Sequence, residues 1–242
     1  MPSSVYVRKS SDRESLLPRY LLWPTLVYLY ALSVFQFGGL DEWIIGHFFD
    51  PALQAFPLKH GFWTERILHD GGRRLMLALA GLLAFALAVS WSALRWQAWR
   101  LRLAYLLLVV LLSVSAVNLG KQFSNVDCPW DLAVYGGERV HYGLFDAKPL
   151  DAPRGRCFPG GHSSAGFALL ALYFVGLSAG VRRPGLLLLP GILVGSLFAV
   201  DQWVRGAHFP SHDLTTAYLC WGFAVLCFRM LPAPVPSLST DA

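Results

Sequence analysis

Long apolar segments dominate the chain and alternate with shorter polar connections. Each of the longest has about the 20 residues that an α-helix needs to cross the hydrocarbon core of a bilayer. The pattern predicts six membrane-spanning helices, at about residues 20–37, 75–94, 103–120, 163–180, 186–204 and 214–231. An even number of crossings places both termini on the same side. The predicted fold is therefore all-α, an integral-membrane six-helix transmembrane bundle.

Two regions between the predicted spans have a different pattern. From 39 to 72 apolar and charged residues are mixed, which predicts one or two short amphipathic helices at the membrane interface. From 121 to 161 the chain is rich in Asp, Gly, Pro and Arg, which predicts a long polar loop. The domain organisation is a single spanning unit at 20–231, with a cytoplasmic N-terminal tail at 1–19 and a disordered C-terminal tail at 232–242.

The composition supports a membrane protein. Hydrophobic residues make up 55% of the 242 residues and charged residues 14%, with a mean hydropathy of +0.47. A typical soluble domain is about 25% charged and could not bury so much apolar surface. The net charge of +5 does not indicate a nucleic-acid partner, because the basic residues are scattered among the spans instead of forming a basic face.

Charge sets the predicted orientation. The short connectors 95–102 and 181–185 carry basic charges only, and such loops remain on the cytoplasmic side. Of the 15 acidic residues, only Asp12, Glu14 and Asp241 would lie on the side of the termini. The termini are therefore predicted in the cytoplasm and the long polar loop outside. The compact loops favour a bacterial inner membrane, which makes the outer face periplasmic.

Two of the four cysteines lie in the same polar loop. Cys128 and Cys157 are expected to form a disulfide if that loop faces an oxidising compartment, and two free thiols are the alternative. None of the four has the Cys-x-x-Cys spacing of a zinc site, so no metal is predicted.

The sequence Pro-Gly-Gly-His at 159–162 directly precedes the fourth predicted span. The glycines Gly160 and Gly161 leave their backbone amides accessible, and His162 adds an imidazole at the beginning of a helix. This combination suits an oxyanion, above all a phosphate. An ordinary helix start is the alternative, since Pro-Gly-Gly also favours a turn.

Two further polar segments are predicted at the same face. Lys121 follows the third span, and the cluster at 205–213 joins the fifth span to the sixth. Because the three segments flank spans that end on the outer side, we expect them to converge there. Titratable groups gathered at one end of a membrane protein indicate a functional site.

The order of these motifs resembles the type-2 phosphatidic acid phosphatase family. That family has the patterns Lys-x6-Arg-Pro, Pro-Ser-Gly-His and Ser-Arg-x5-His-x3-Asp. This chain has Lys121 and Pro129, then Pro-Gly-Gly-His at 159–162, then Gly-Ala-His-Phe-Pro-Ser at 206–211. The resemblance covers about residues 20–231, and its specific motifs lie between 121 and 213.

Several positions depart from the family patterns. Cys128 occupies the position where the first family pattern has an arginine. The candidate replacements for that arginine are Arg139, Arg154 and Arg156. In the second pattern, Gly160 replaces the serine.

The third pattern departs as well. Gln202 stands at its arginine, with Arg205 three residues before His208 instead of six. His212 stands at the position of the aspartate, and Asp213 follows one residue later.

The resemblance implies a phosphate site built from side chains and amides. Lys121, Arg205, Gly160 and Gly161 are the predicted phosphate-binding residues. Their charges and N–H groups would stabilise the oxygens of the transferring phosphoryl group. No cofactor or metal is implied, because the cations are side chains.

The resemblance also implies the catalytic roles. His208 is the predicted nucleophile that forms a phosphohistidine. Either Asp213 or His212 orients the ring of His208. His162 protonates the leaving oxygen and then helps to activate water.

The predicted function is hydrolysis of a lipid phosphate or polyprenyl pyrophosphate at the outer face of the bilayer. Two alternatives are a lipid phosphotransferase that uses the same site and a non-catalytic protein that binds or moves lipid phosphates. The sequence leaves the individual lipid and the oligomeric state open.

Overall fold

A computed structural model describes residues 18–232. Of these described residues 70% are helical, and the only β-type pairings among them are two isolated bridges. The predicted tails at 1–19 and 232–242 fall outside the described residues except for their innermost positions. In chain order the main helices are α1 (Arg19–Phe37), α2 (Leu40–Gly46), α3 (Phe62–Ser92), α4 (Leu94–Phe123), α5 (Ser164–Ser178), α6 (Pro184–Val204) and α7 (Pro210–Cys227).

Four of these helices, α1, α3, α4 and α6, are long and apolar enough to cross a membrane, among the residues described. They correspond to the first, second, third and fifth predicted spans. Helix α5 has an apolar sequence but only 15 residues. Helix α7 begins with buried polar residues, including His212 and Asp213. The structure is thus that of an apolar helical protein with four candidate spans, and a count of six stays a prediction.

One predicted boundary was wrong. The second amphipathic helix and the second span were expected to be separate elements, but residues Phe62–Ser92 form one continuous helix. Its first part, Phe62–Gly71, has π-helical winding and continues without a break into the α-helix. Both Gly71 and Gly72 adopt right-handed helical dihedral angles, so the glycine pair does not end the helix.

The outer surface of the bundle is apolar. Helix α3 carries exposed side chains such as Leu77, Leu82 and Phe85, which are each more than 60% exposed. In water such a surface would be costly, whereas lipid tails cover it without penalty. This distribution supports a bilayer around the helices.

Close helix packing fixes the relation between α5 and α6. A β-carbon on Gly166 would lie 2.6 Å from the Cα atom of Gly195, so the two backbones are in direct contact. Small residues permit this approach and are common at helix interfaces in membranes. The contact sets the beginning of α5 against the second half of α6, and both helix ends lead into the polar segments described next.

The polar loop at 121–161 is folded against the end of the bundle. Its Cys128 and Cys157 are joined by a disulfide with a Cα–Cα distance of 5.2 Å. The buried carboxylate of Asp127 accepts hydrogen bonds from Arg139 and Lys148, at 2.5 Å each. These contacts give the loop a defined structure above the helix ends.

Candidate active site

Three separate parts of the chain meet at one end of the bundle. The amide of Gly160 donates to the carbonyl oxygen of His212 over 3.0 Å, and the Thr216 hydroxyl donates to the carbonyl oxygen of Gly160 over 2.8 Å. A β-carbon on Gly161 would lie 3.0 Å from Nζ of Lys121. The end of α4, the turn before α5 and the beginning of α7 therefore come together, as the sequence predicted.

His208 and Asp213 form a buried pair. Nδ1 of His208 lies 3.3 Å from Oδ1 of Asp213, and the two residues are 4% and 1% exposed. In a neutral imidazole, a proton on Nδ1 faces this carboxylate and leaves the lone pair on Nε2. The pair therefore has the arrangement of a histidine nucleophile held in one tautomer by a carboxylate.

The carboxylate of Asp213 is itself held by two further donors. Ser163 Oγ donates to Oδ1 over 2.5 Å, and Trp203 Nε1 donates to Oδ2 over 2.8 Å. A buried carboxylate needs such partners, because burial without them is costly. Both donors were missed in the sequence, although Ser163 directly follows the predicted His162.

Burial lowers the pKa of His208, and the Asp213 carboxylate acts in the opposite direction. The imidazole is therefore neutral near pH 7. A neutral ring is the form that a histidine nucleophile requires.

His212 has a different position from the one expected of an orienting residue. Its ring is buried against Phe158 and Phe209, at centroid distances of 5.4 and 5.5 Å, and its Nδ1 has no partner among the described residues. Its carbonyl oxygen holds the Gly160 amide, as noted above. Of the two candidates, Asp213 is the one within hydrogen-bond distance of His208, whereas the His212 ring lies 6.1 Å from the His208 ring between centroids.

The two glycines have unequal surroundings. The Gly160 amide was predicted to be free to bind phosphate, but it donates its hydrogen bond to the carbonyl oxygen of His212. A β-carbon on Gly160 would approach the Asp213 carboxylate and lie 3.1 Å from Nδ1 of His208, so the glycine gives the pair its room. The Gly161 amide has no hydrogen-bond partner among the described residues, and it stays a candidate donor.

Arg205 is buried and only partly paired. Its Nε donates to the carbonyl oxygen of Lys59 over 3.0 Å, and its Nη2 lies 3.8 Å from Oε1 of Glu65. Its Nη1 is buried without a partner. An unpaired buried guanidinium nitrogen is costly, and an anionic ligand would satisfy it.

Gln202, at the position where the family has arginine, faces another neighbour. Its Nε2 donates to the carboxylate of Asp201 over 2.7 Å, and both residues are buried. Arg205, three residues after Gln202, is the arginine nearest in sequence to the position where the family has one.

His162 lies at the edge of the site beside α3. Its Nε2 is 3.2 Å from the carbonyl oxygen of Leu68, and its ring packs between His69 and Phe198, at centroid distances of 4.7 and 4.5 Å. Burial, with the nearby charge of His69, lowers the pKa of His162 to about 4.

The candidate loop arginines do not form a common site. Arg139 pairs with Asp127, Arg154 donates to the carbonyl oxygen of Gln122, and Arg156 is exposed. The structure thus uses Arg139 to order the loop.

A further buried acid was not found from the sequence. Asp41, on α2, accepts hydrogen bonds from the backbone amide of Ser211 and from Gln36, at 2.9 Å each. Burial raises the pKa of Asp41 to about 6, against the hydrogen bonds from Ser211. Asp41 thereby caps the beginning of α7 from a distant helix, which no local sequence pattern reveals.

An apolar groove leads to the site from between α3 and α4. It has a volume of about 530 Å³, and His69, Gly161 and His162 lie at its polar end. Apart from Arg73, Asn118 and Ser164, its other lining residues are apolar and include Met76, Leu77, Ala80, Val110, Leu111 and Val114. The polar end of the groove is suited to a lipid head group, and its apolar walls are suited to the hydrocarbon chains.

Comparison with known proteins gave one family. The family model described as PAP2 superfamily matches residues 102–235, a stretch that contains every predicted site residue. No curated protein and no solved structure matches the chain.

Proposed function

The chain belongs to the PAP2 superfamily, and from this membership we propose that it is an integral-membrane phosphatase that hydrolyses a lipid phosphate or a polyprenyl pyrophosphate. Membership supports phosphatase-type action on a lipid phosphate. The phosphohistidine mechanism, the outer location of the site and independence from metals are our further proposals.

The observation that carries the proposal is the buried pairing of His208 with Asp213. A buried Arg205 nitrogen without a partner, three residues before His208 in the chain, supports it. The free Nε2 of His208 attacks phosphorus, and the bond from phosphorus to the leaving oxygen breaks. Water then attacks the phosphohistidine, the phosphorus–nitrogen bond breaks, and its electron pair returns to Nε2. Asp213 holds Nδ1–H throughout and stabilises the ring when it carries the phosphoryl group.

Cationic and N–H donors balance the charge of the phosphoryl oxygens. Lys121 and Arg205 supply the cations, and the Gly161 amide is the backbone donor that remains free. Fixed donors in a site with little water stabilise the transition state more than the same groups would in solution. These side chains take the place that a metal ion has in other phosphatases.

The groove between α3 and α4 supports a lipid substrate over a soluble one. Acyl or prenyl chains would lie along its aliphatic walls, and the phosphate would reach Gly161 and His162 at the polar end. Because α3 and α4 are both candidate spans, the chains would enter from within the bilayer.

His162 is proposed to lie on the leaving-group side of the phosphate. With a pKa of about 4, it is neutral at pH 7 and suited to accept a proton or a hydrogen bond. A bound phosphate dianion would raise this pKa, and His162 could then donate a proton to the leaving oxygen.

The site is proposed to face the periplasm of a bacterial inner membrane. The basic connectors at 95–102 and 181–185 lie at the opposite end from the site, where Arg102 donates to the carbonyl oxygen of Ser178. The positive-inside rule assigns that end to the cytoplasm.

The test is phosphate release by the detergent-purified protein with EDTA present, over a panel of lipid phosphates and polyprenyl pyrophosphates. We expect turnover by the wild type and by His47→Gln, an exposed histidine away from the site, and loss of turnover in His208→Ala. Equal activity in His208→Ala would remove the phosphohistidine mechanism. Binding of lipid phosphate without turnover would favour the non-catalytic alternative, and dependence on a second lipid would favour a phosphotransferase.

A further inference from the structure

Arg205 is held by a part of the chain that lies far from it in sequence. The segment 56–65 ends in the first turn of α3 and contacts the guanidinium at two points. The backbone carbonyl oxygen of Lys59 accepts a hydrogen bond from Nε over 3.0 Å, and Oε1 of Glu65 lies 3.8 Å from Nη2. The third nitrogen, Nη1, is buried without a partner among the described residues. Two of the three guanidinium nitrogens are therefore engaged by this segment.

Segment 56–65 also packs against the turn that carries Arg205. Phe56 is buried, and its ring lies so close to Gly206 that a β-carbon there would collide with it. Nζ of Lys59 lies 4.5 Å from the ring centroid of Trp130, whose backbone amide donates to the carbonyl oxygen of Gly206 over 2.9 Å. The segment and the turn between α6 and α7 thus form one packed unit.

Local contacts fix the direction of the Glu65 side chain. Its backbone amide donates to the carbonyl oxygen of Gly61 over 2.8 Å, and its two carboxylate oxygens lie 3.2 and 3.3 Å from Nδ1 of His60. The neighbouring Thr64 hydroxyl donates to the carbonyl oxygen of Leu58 over 2.6 Å. The carboxylate is therefore presented by an ordered turn at the beginning of α3.

This support comes from outside the stretch that matches the family. The family model covers residues 102–235, whereas the segment lies at 56–65. Within the matched stretch, Gln202 stands where the family pattern has its arginine, and Arg205 directly follows the end of α6. An arginine three residues further along leaves the backbone in another direction, so its guanidinium needs other partners to be aimed at the same site.

We infer that Glu65, together with the Lys59 carbonyl, positions Arg205 as a phosphate ligand. The inference rests on the proposed function and adds a residue to it. A guanidinium is a rigid planar fork, so fixing Nε and Nη2 also fixes the direction in which the N–H groups of Nη1 point. A donor that is already aimed stabilises the charge of the transferring phosphoryl group more than one that turns freely.

The two properties of Glu65 have opposite effects on an anion. Its contact with Nη2 aims the guanidinium, whereas its negative charge repels phosphate. Replacing Glu65 by Gln removes the charge and loosens the guanidinium. Stabilisation of the transition state should then decrease, while equilibrium binding of inorganic phosphate should not weaken. A residue that only stabilises the fold would weaken both.

The experiment measures kcat on a lipid phosphate and the Ki of inorganic phosphate. The proteins are wild type, Glu65→Gln, Arg205→Ala, the double variant, and a control, Glu138→Gln, at an exposed glutamate of the polar loop. We expect Glu65→Gln to lower kcat by about 10-fold without raising the Ki of phosphate. In the Arg205→Ala protein the same change should alter kcat by less than about 2-fold, because the group that it positions is absent. Glu138→Gln should match the wild type.

The outcomes separate the two proposals. An unchanged kcat in Glu65→Gln, a lowered kcat with a raised Ki, or an equal loss with and without Arg205 would overturn the positioning role and leave the phosphatase intact. Full activity of Arg205→Ala would overturn it as well. Absence of turnover by the wild type on every lipid phosphate would instead overturn the proposed function.

Thermal unfolding of each variant in detergent identifies any loss that comes from misfolding. If Glu65→Gln does not fold, the same comparison is made with Glu65→Asp, which keeps the charge but is one methylene shorter. We then expect a smaller loss of kcat that again depends on Arg205, and a loss of equal size in the Arg205→Ala protein would contradict the inference.

Discussion

Trp203 Nε1 donates a hydrogen bond to Asp213 Oδ2 over 2.8 Å, and this contact joins the last turn of α6 to the first turn of α7. The same carboxylate holds His208 through its other oxygen. An indole near a helix end in a membrane protein is commonly an interfacial anchor, but this one is directed inward at the candidate catalytic pair. We therefore expect Trp203 to be a positioning residue that acts through Asp213.

Replacing Trp203 by Phe tests this role. The ring volume is largely kept while the donor to Asp213 is lost, so we expect kcat to fall by about 10-fold with KM almost unchanged. Asp213→Asn, which removes the charge itself, is expected to lower kcat by roughly 10³-fold or more. Steady-state kinetics on a lipid phosphate measures both. A Trp203→Phe enzyme that changes only KM would contradict an effect through His208.

Arg205 is expected to bind the phosphate through its unpaired Nη1. Arg205→Lys keeps the charge but not the fork of donors, so we expect a loss of roughly 10²-fold in kcat/KM, and a larger loss in Arg205→Ala. The exposed Arg156 provides a matched control, because Arg156→Lys is expected to leave kcat/KM unchanged. Full activity of Arg205→Ala would assign the phosphate to other donors.

Gly206 is expected to be required by the turn that presents His208. Its φ angle is +68°, and a β-carbon there would meet the ring of Phe56. Gly206→Ala should reduce the free energy of unfolding by about 1–3 kcal/mol through backbone strain alone, with the ring clash in addition.

Gly81 is the matched control for that change, because a β-carbon at this helical position has nothing within 4 Å. Thermal unfolding in detergent should show a lowered Tm for Gly206→Ala and an unchanged or slightly raised Tm for Gly81→Ala. Equal Tm values for the two variants would show that the turn tolerates a side chain.

The stability of the protein should depend on the protonation of His162. Burial and the charge of His69 lower its pKa from 6.5 to about 4, so between these values the unfolded chain binds a proton that the folded protein does not. As far as His162 is concerned, the free energy of unfolding therefore has its full value above pH 6.5 and decreases as the pH falls toward 4. Burial lowers the pKa of His208 as well, and that residue acts in the same direction.

The measurement is Tm in detergent at pH 7 and at pH 5. We expect the wild type to lose Tm on acidification and His162→Gln to lose less, since one of the imidazoles with a lowered pKa is then absent. An identical decrease in wild type and variant would mean that His162 is not desolvated in the folded protein.

Much of the fold followed from local patterns. Hydropathy identified the regions of α1, α3, α4 and α6, because a span is defined by the composition of about 20 consecutive residues. The same sequence pattern predicted a break in the helix between 56–68 and the second span, since charged residues and the Gly71–Gly72 pair commonly end helices. In the folded chain helix α3 continues through this pair, and Gly72 packs against the ring of Phe198.

The motifs also predicted that Lys121, His162 and His208 would lie at one end of the bundle, because each adjoins a helix end, and the three segments do meet there. The motifs did not determine whether His212 or Asp213 would contact His208. His212 and Asp213 are adjacent in sequence, but on a helix they point about 100° apart. The observed contact to His208 is made by Asp213, in the first turn of α7.

The sequence by itself thus determined an apolar helical protein, its family and the residue types of its candidate site, all of which depend on composition and order along the chain. The tertiary structure decided the pairing of His208 with Asp213, the engagement of the Gly160 amide, and the approach of His69 to His162. Those contacts join residues 5, 52 and 93 positions apart. They depend on how helices pack and on the direction in which each side chain leaves its backbone, and neither is encoded in any short stretch of sequence.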